Sequence, residues 1–468
     1  MERFWQLSGK MEKGIKIHEE LIEKQMEKGD FVLAIVTSTK PDFYKQAPLM
    51  EAAKNFDVPS FVIHTGQHYD ELLSHGMEEY GLNNNLGANL NIRGGLSQKT
   101  AEIMIKTKKL AEHLRKYDGK KILPIVHGDT LAAGIVPQAW MFATNQKSAH
   151  NEAGLRGMAP KTTDFYPITE FIDKQFDGEW ELERNEPFPE QYNTFIGSAG
   201  SQYLFPPTKT NKEHLLREGY HEESGGRKNM EVVGNSVVDA IQMKTMAPSE
   251  ESVFDVYPEL EKRDDWIRVD IHRRANLQPG RFSAIIEGVI ELVERGFNVN
   301  FVEMNATKKA LDAYDLRKKI ERLGKNHENF LFTGLWKKHA HVYEFFKSGK
   351  CFAALTDSGS MQEELNHIEE TLCMTVRFNT DRPETVFKAN TNLLVPPVSG
   401  KFVRMMVEHV YKNEELIKRM KAGEKLYGSE VGTKIINFLI KMYDRELFEW
   451  TSDRKGFHNK NMSKFSYL

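Results

Sequence analysis

Phe31-Val32-Leu33-Ala34-Ile35-Val36-Thr37 is an unbroken apolar run that stops in the polar turn Ser38-Thr39-Lys40-Pro41-Asp42. A short run of this kind, closed by turn formers, reads as a strand buried on both faces, and such strands belong to parallel sheets. Working outward, Ser60–Thr65 and Ile122–His127 repeat the pattern, with charged stretches of helical period such as Ser97–Tyr117 between them. After Gly234 a second series follows: Trp266–His272, Asn298–Met304, Asn329–Phe332, Cys351–Thr356 and Thr371–Val376. The alternation predicts an α/β protein with two Rossmann-like, doubly wound domains.

A chain of 468 residues exceeds the size at which one core stops growing. The pattern divides it into an N-terminal helical extension over 1–30, a first domain over 31–245, a second, nucleotide-binding domain over 246–425, and C-terminal helices and tail over 426–468. The join is expected near Met246–Val253, where Pro248 and polar residues interrupt the pattern, and Asn235–Lys244 reads as the helix leading out of the first domain. Ligands collect at the carboxyl ends of such strands, so a central cleft between facing domains is the expected place for chemistry. Three segments fall outside this count: Met11–Lys28, the polar acidic insertion at about 158–187, and the tail after Met442. In the first of these, Ile15, Ile22 and Met26 stand at roughly helical spacing, as on a packing or oligomer face.

Composition excludes several classes. With 40 % hydrophobic and 28 % charged residues the chain is an ordinary globular one, and a formal charge of -3 supplies no field to draw it onto nucleic acid or an anionic membrane. Cys351 and Cys373 are too few for a disulfide framework and sit in apolar runs, which predicts buried thiols and a reducing, cytoplasmic setting. Neither a signal-like apolar core near Met1 nor a run of membrane-spanning length is present, so secretion and membrane spanning are not expected.

The chemistry-bearing residues cluster at strand ends. Lys40 and Lys45 follow the first strand, where cations suit phosphate oxygens. Thr65-Gly66-Gln67-His68, His127-Gly128-Asp129-Thr130 and His150-Asn151-Glu152-Ala153-Gly154-Leu155-Arg156 follow later apolar runs, so that acids converge on one crevice, where their protonation is readily tuned for proton transfer. In the second series, His272-Arg273-Arg274 places an imidazole and two guanidinium groups at a strand end. Thr356-Asp357-Ser358-Gly359-Ser360-Met361-Gln362-Glu363-Glu364 runs from a strand through small residues into a helix, whose free N–H groups form a cradle for a diphosphate. Glu364, a turn further on, is placed to accept ribose hydroxyls, and Arg377 to Glu384 adds charge beside the same crevice. His127, His150 and His272 lack the short spacing of a zinc motif, so no metal is expected.

In this order, from about Phe31 to about Met442, the motifs resemble the non-hydrolysing UDP-N-acetylglucosamine 2-epimerases of the glycosyltransferase-B fold. Ser38 to Leu49 is similar to the family's opening Gly-Thr-Arg-Pro-Glu motif. The Thr-Gly-Gln-His, His-Gly-Asp-Thr and Glu-Ala-Gly-Leu-Arg runs follow, then Gly234-Asn235-Ser236-Val237-Val238-Asp239-Ala240, the His-Arg-Arg turn, the Asp-Ser-Gly turn and Thr380-Asp381-Arg382-Pro383-Glu384. The family's Pro-Glu-Glu-x-Asn-Arg motif resembles Pro189-Glu190-Gln191-Tyr192-Asn193-Thr194, displaced by the insertion.

The resemblance implies reversible inversion at C2 of a UDP-sugar substrate, by elimination of UDP and its re-addition to a glycal, with no nicotinamide or metal cofactor. It implies Asp129, Glu152, Glu190 and His272 as acid/base residues. Lys40, Lys45, Arg274, Ser358, Gly359, Ser360, Glu364 and Arg382 are implied in binding the nucleotide, and a homodimer is implied as the assembly. Gln67 and His68 match residues beside which bacterial members bind a second, activating UDP-sugar. The chain departs from the pattern at Lys40 and Asp42 (Arg and Glu in the family), Ser360 (Gly), Thr194 (Arg) and Ala275 (Glu). A hydrolysing relative, a transferase of the same fold and a non-catalytic nucleotide-sugar sensor stay open as alternatives.

Overall fold

A computed structural model describes residues 14–66, 76–146, 148–224, 226–246 and 250–444. The chain forms two compact units. The first draws its described residues from the chain up to Gly154, from Tyr192–Ser236 and from Glu430 onward; the second comprises Leu155–Gln191 and Val237–Ser429.

In the first unit seven described strands form the main sheet in the order Lys16–Ile17, Leu86–Asn89, Ser60–His64, Phe31–Thr37, Lys121–His127, Ser148–Asn151, Ser201–Phe205, and Glu223–Ser224 with Arg227–Lys228 makes a separate antiparallel pair. All pairings in the main sheet are parallel except that of its short first strand. Setting that strand aside, the chain-order sequence across the sheet is 3-2-1-4-5-6, the doubly wound Rossmann order. Every residue of Phe31–Thr37 is buried, as the unbroken apolar run requires of a central strand. Helices Leu96–Leu114 and Leu131–Thr144 pack their apolar faces on one another, contributing Ile103, Leu110, Ile135 and Trp140 to the core.

In the second unit the order is Phe330–Gly334, Val299–Glu303, Trp266–Asp270, Cys351–Thr356, Leu372–Thr375, Asn392–Leu394, again 3-2-1-4-5-6 and parallel throughout. Its core joins Val269, Ile271, Leu355 and Met374 to Ile285, Val289, Val403 and Val407 of helices Pro279–Glu294 and Gly400–Lys412. The expected doubly wound α/β class is thus observed twice.

The boundaries differ from those read along the sequence. No single join exists near 246–253: the chain changes unit at 154/155, 191/192, 236/237 and 429/430. The segment read as an insertion into the first domain packs in the second unit. Its helix Ile168–Asp177 buries Ile168, Phe171, Ile172 and Phe176 in that unit's core, a spacing that makes one helical face. Buried Gln175 of this helix both donates to and accepts from Leu394, satisfying the edge strand Asn392–Leu394. The helix read as leading out of the first domain, Val237–Met246, lies in the second unit. Conversely, helix Val431–Asp444 packs on helix Lys40–Asn55 of the first unit, so closely that a Cβ at Gly432 would collide with the Pro48 carbonyl oxygen. The stretch read as one helix over 11–28 is, from Gly14 on, an edge strand followed by helix Glu19–Lys28, with Ile22 and Met26 inside the core. The tail beyond 444 lies outside the described residues.

Cys351 and Cys373 are free and buried, and burial pushes both thiols up to about 12. Among the described residues no helix is long and apolar enough to cross a membrane.

Candidate active site

In a doubly wound sheet the crevice for a ligand opens where strand order reverses, beyond the carboxyl ends of the first and fourth strands. In the first unit these ends are Thr37 and His127. Past Thr37 the chain enters helix Lys40–Asn55, whose first turn holds Asp42. One of its oxygens, Oδ2, accepts from the backbone N–H groups of Ser38 (2.8 Å) and Thr39 (2.9 Å) and from the Ser38 hydroxyl (2.5 Å). The other, Oδ1, lies 2.9 Å from Nδ1 of His127. Across the ring, Nε2 of His127 lies 3.2 Å from Oε2 of Glu152, a charge contact rather than an aligned hydrogen bond. Oε1 of Glu152 takes Lys45 Nζ at 2.5 Å and Asn235 Nδ2 at 2.6 Å. Asp42, Lys45, His127, Glu152 and Asn235 are all buried.

This packing depends on Gly128. It has φ +64°, and a Cβ there would stand 2.6 Å from Oε2 of Glu152. Glu152 itself sits at φ 64°, where a non-glycine residue is held only by its surroundings. For His127, burial opposes the charged ring, but the Glu152 charge and the contacts with Asp42 and Glu152 outweigh it, raising the pKa to about 9. Asp129 is half-buried in the turn before helix Leu131–Thr144, which Thr130 caps by accepting from Ala133 N; Asn193 donates to the Asp129 carbonyl at 3.1 Å.

In the second unit the two strand ends lead to His272 and Asp357. Asp357 is fully buried and accepts from the backbone N–H groups of His272 (3.0 Å) and Arg273 (2.9 Å) and from Asn276 Nδ2 (3.0 Å). His272 Nδ1 lies 3.1 Å from its Oδ1 as an ion pair, while about a third of the imidazole surface stays exposed. Burial opposes charge on both groups. The pairing prevails, so that His272 is raised and Asp357 lowered. Ser358 caps helix Gly359–His367, and its own N–H donates to Thr356 Oγ1. A Cβ on Gly359 would stand 2.9 Å from Arg382 Nη1 and 3.3 Å from Arg273 Nη2, so two guanidinium groups flank this helix start. Arg382 is buried between Glu363 (2.8 Å) and Asp381 (2.5 Å). Arg273 Nη1 pairs with Glu190 Oε1 at 2.8 Å. Glu364 is buried with its Oε2 3.6 Å from His339 Nε2 and without a hydrogen-bond partner for that oxygen among the described residues.

The residues expected from the sequence fall into two groups. The first unit brings Lys45 and Glu152 into one contact, with Asp129 following the glycine that touches Glu152. Lys40 is half-buried at the start of its helix. Lys45, expected to meet phosphate, instead points inside, because nearly the whole first half of its helix is buried. The second unit gathers His272, Ser358, Gly359, Ser360 and Arg382 around one turn, with Glu190 joined to it through Arg273. Arg274, expected to bind nucleotide, is exposed, and Arg273 takes the place beside Gly359. Gln67 and His68 lie outside the described residues. Asp42, His127, Asn235 and Asp357 stand in the motifs without a role that the sequence assigns, and Arg273 is read there only as one of two guanidinium groups at a strand end. Their signal is position, since Asp42, His127, Arg273 and Asp357 end or follow a strand of a main sheet, while Asn235 stands just before helix Val237–Met246. Among the described residues no group of three or more His, Cys, Asp or Glu side chains could hold a metal ion.

The family profile described as UDP-N-acetylglucosamine 2-epimerase matches residues 180–440. The UDP-N-acetylglucosamine 2-epimerase of Methanocaldococcus jannaschii is 30 % identical over 384 residues, covering 80 % of this chain and 90 % of its own. The crystal structure of the Methanocaldococcus jannaschii UDP-GlcNAc 2-epimerase in complex with UDP-GlcNAc and UDP superposes with a TM-score of 0.68 at 27 % identity, over 88 % of this chain and 99 % of that one. The Neisseria meningitidis enzyme bound to UDP-GlcNAc, at 24 % identity, shares the fold with a TM-score of 0.70, over 88 % of this chain and 100 % of that one. With more than half of its length matched by the profile, and a relative this similar across four-fifths of it, the chain belongs to the UDP-N-acetylglucosamine 2-epimerase family.

Proposed function

We propose that this chain interconverts UDP-N-acetylglucosamine and UDP-N-acetylmannosamine without net hydrolysis. A base takes the C2 proton, the C1–O bond breaks with its electron pair leaving on UDP, and a C1=C2 glycal results. A proton then adds to the other face of C2 while a UDP oxygen re-forms the bond to C1. The observation that carries this reading is the His272–Asp357 pair, whose imidazole, its pKa raised against burial by the neighbouring carboxylate, stands at a strand end beside the Ser358–Gly359 turn. A cation there suits the negative charge that develops on a departing diphosphate.

The N–H groups at the start of helix Gly359–His367, with Arg273 and Arg382, are assigned to the diphosphate, and Glu364 to the ribose. Asp129 and Glu190 are assigned to the proton chemistry at C2, Glu152 to the acid/base cluster as a charged neighbour of that chemistry, and Lys40 to phosphate. Lys45 is assigned to Glu152, with which it pairs. A homodimer is the proposed assembly, checked by analytical ultracentrifugation, and the proposed setting is the cytoplasm.

Incubation with UDP-N-acetylglucosamine in D2O, followed by proton NMR, tests the reading. Deuterium at C2 with UDP-N-acetylmannosamine as product, lost in Asp129→Asn, is the expected result. Free N-acetylmannosamine with UDP would establish the hydrolysing reaction instead. Binding without any C2 exchange would overturn elimination and leave a transferase or a sensor.

A further inference from the structure

His127 takes no part in the chemistry above, yet it is buried with a carboxylate facing each ring nitrogen. A neutral imidazole carries hydrogen on one nitrogen only, so it would set a lone pair against Asp42 or Glu152; the imidazolium carries hydrogen on both. Charge balance points the same way. Asp42 and Lys45 come from helix Lys40–Asn55, and Glu152 from the turn after strand Ser148–Asn151; in the contacts these described residues make with one another, two carboxylates meet one ammonium, and a charged His127 makes them two against two. The neighbouring imidazoles are engaged elsewhere, His64 with the Thr37 hydroxyl and His150 with the Gly128 carbonyl and the Ser198 hydroxyl. Glu152 meanwhile receives Lys45 and Asn235 on one oxygen and faces His127 with the other.

We propose that His127 is a positioning residue which, as an imidazolium held by Asp42, fixes Glu152 as a permanent carboxylate, so that Glu152 serves as a fixed charge and the C2 proton travels through another group. The inference deepens the epimerase reading, and its kinetic test rests on that reading. The ring stays charged through neutral pH because the flanking carboxylates outweigh the burial that opposes its charge.

The test uses full-length protein labelled with 13C-histidine, the His127 resonance being assigned by its absence in His127→Gln. The expected result is a His127 ring that titrates at about 9 in the natural protein and at least one pH unit lower in Glu152→Gln and in Asp42→Asn. In C2-exchange kinetics, His127→Gln is expected to lower kcat at least about tenfold with KM within about twofold, and to abolish the alkaline fall of the rate. A His127 ring titrating near its ordinary value in the natural protein overturns the inference, and so does a His127→Gln pH profile that superimposes on the natural one. Absence of C2 exchange in the natural protein would sink the epimerase reading alone, since the ring titration still decides the role of His127. Should His127→Gln fail to fold, Asp42→Asn and Glu152→Gln carry the titration, and the resonance is assigned by through-bond correlation.

Discussion

The two units solve the same topological problem with the same two residue types in opposite places. Each sheet runs 3-2-1-4-5-6, and each spans its reversal point with a histidine and an aspartate. In the first unit the aspartate follows the first strand and the histidine ends the fourth, as Asp42 and His127; in the second, His272 follows the first strand and Asp357 the fourth. Exposure separates them. The His127 side chain is 4 % exposed and meets a second carboxylate, whereas His272 keeps 33 % of its surface open and a ring nitrogen turned away from its partner. A closed pair is suited to hold charge in place, and an open one to meet a substrate.

The comparison can be broken or sharpened in four ways. The largest effect is on stability. A ring with an ordinary value of 6.5 raised to about 9 on folding contributes stability that is fully present below 6.5 and lost as pH rises through 9. That contribution is on the order of 3 kcal/mol, so urea midpoints are expected to fall between pH 7 and pH 9.5, and the fall to vanish in His127→Gln. Next, Asp357→Asn keeps the shape but removes the charge beside the open ring. It is expected to lower kcat about a hundredfold and to lower the His272 titration seen by NMR. Third, Arg273→Gln is expected to cost roughly tenfold or more in kcat/KM, and Arg274→Gln less than about twofold, because only the former stands beside Gly359 and Glu190. The smallest effect is at Gly128→Ala. With positive φ and the Glu152 carboxylate 2.6 Å from the new Cβ, it is expected to destabilise the fold by about 1 to 2 kcal/mol in chemical denaturation.

The long buried strands are legible because their apolar runs are unmistakable: Phe31–Thr37 and Cys351–Thr356 match their reading residue for residue. Short edge strands such as Lys16–Ile17 and Asn392–Leu394 offer no such run, and Ser201–Phe205 is hidden by Gln202 and its polar surroundings. Residues 158–187 read as a polar insertion because acidic residues outnumber the apolar face of helix Ile168–Asp177, and only packing reveals which unit that face joins. The site is legible as motifs and illegible as pairs. His127 and Asp42 are 85 residues apart, and nothing local tells that their side chains meet. Lys45 reads as a phosphate ligand because charge implies exposure. Its burial follows from a helix that passes through the core with apolar residues on most sides.

Helix Val431–Asp444 returns to the first unit after the whole second unit has been threaded. For anyone wishing to make one half by itself, neither the gene's front nor its back is a usable fragment. Stopping near residue 429 strips the first half of a helix that covers Lys40–Asn55, and starting near 237 discards the Leu155–Gln191 piece that seals the other half's edge strand. A workable first half would splice its three pieces with short linkers, which makes the protein a case for permuted rather than truncated expression.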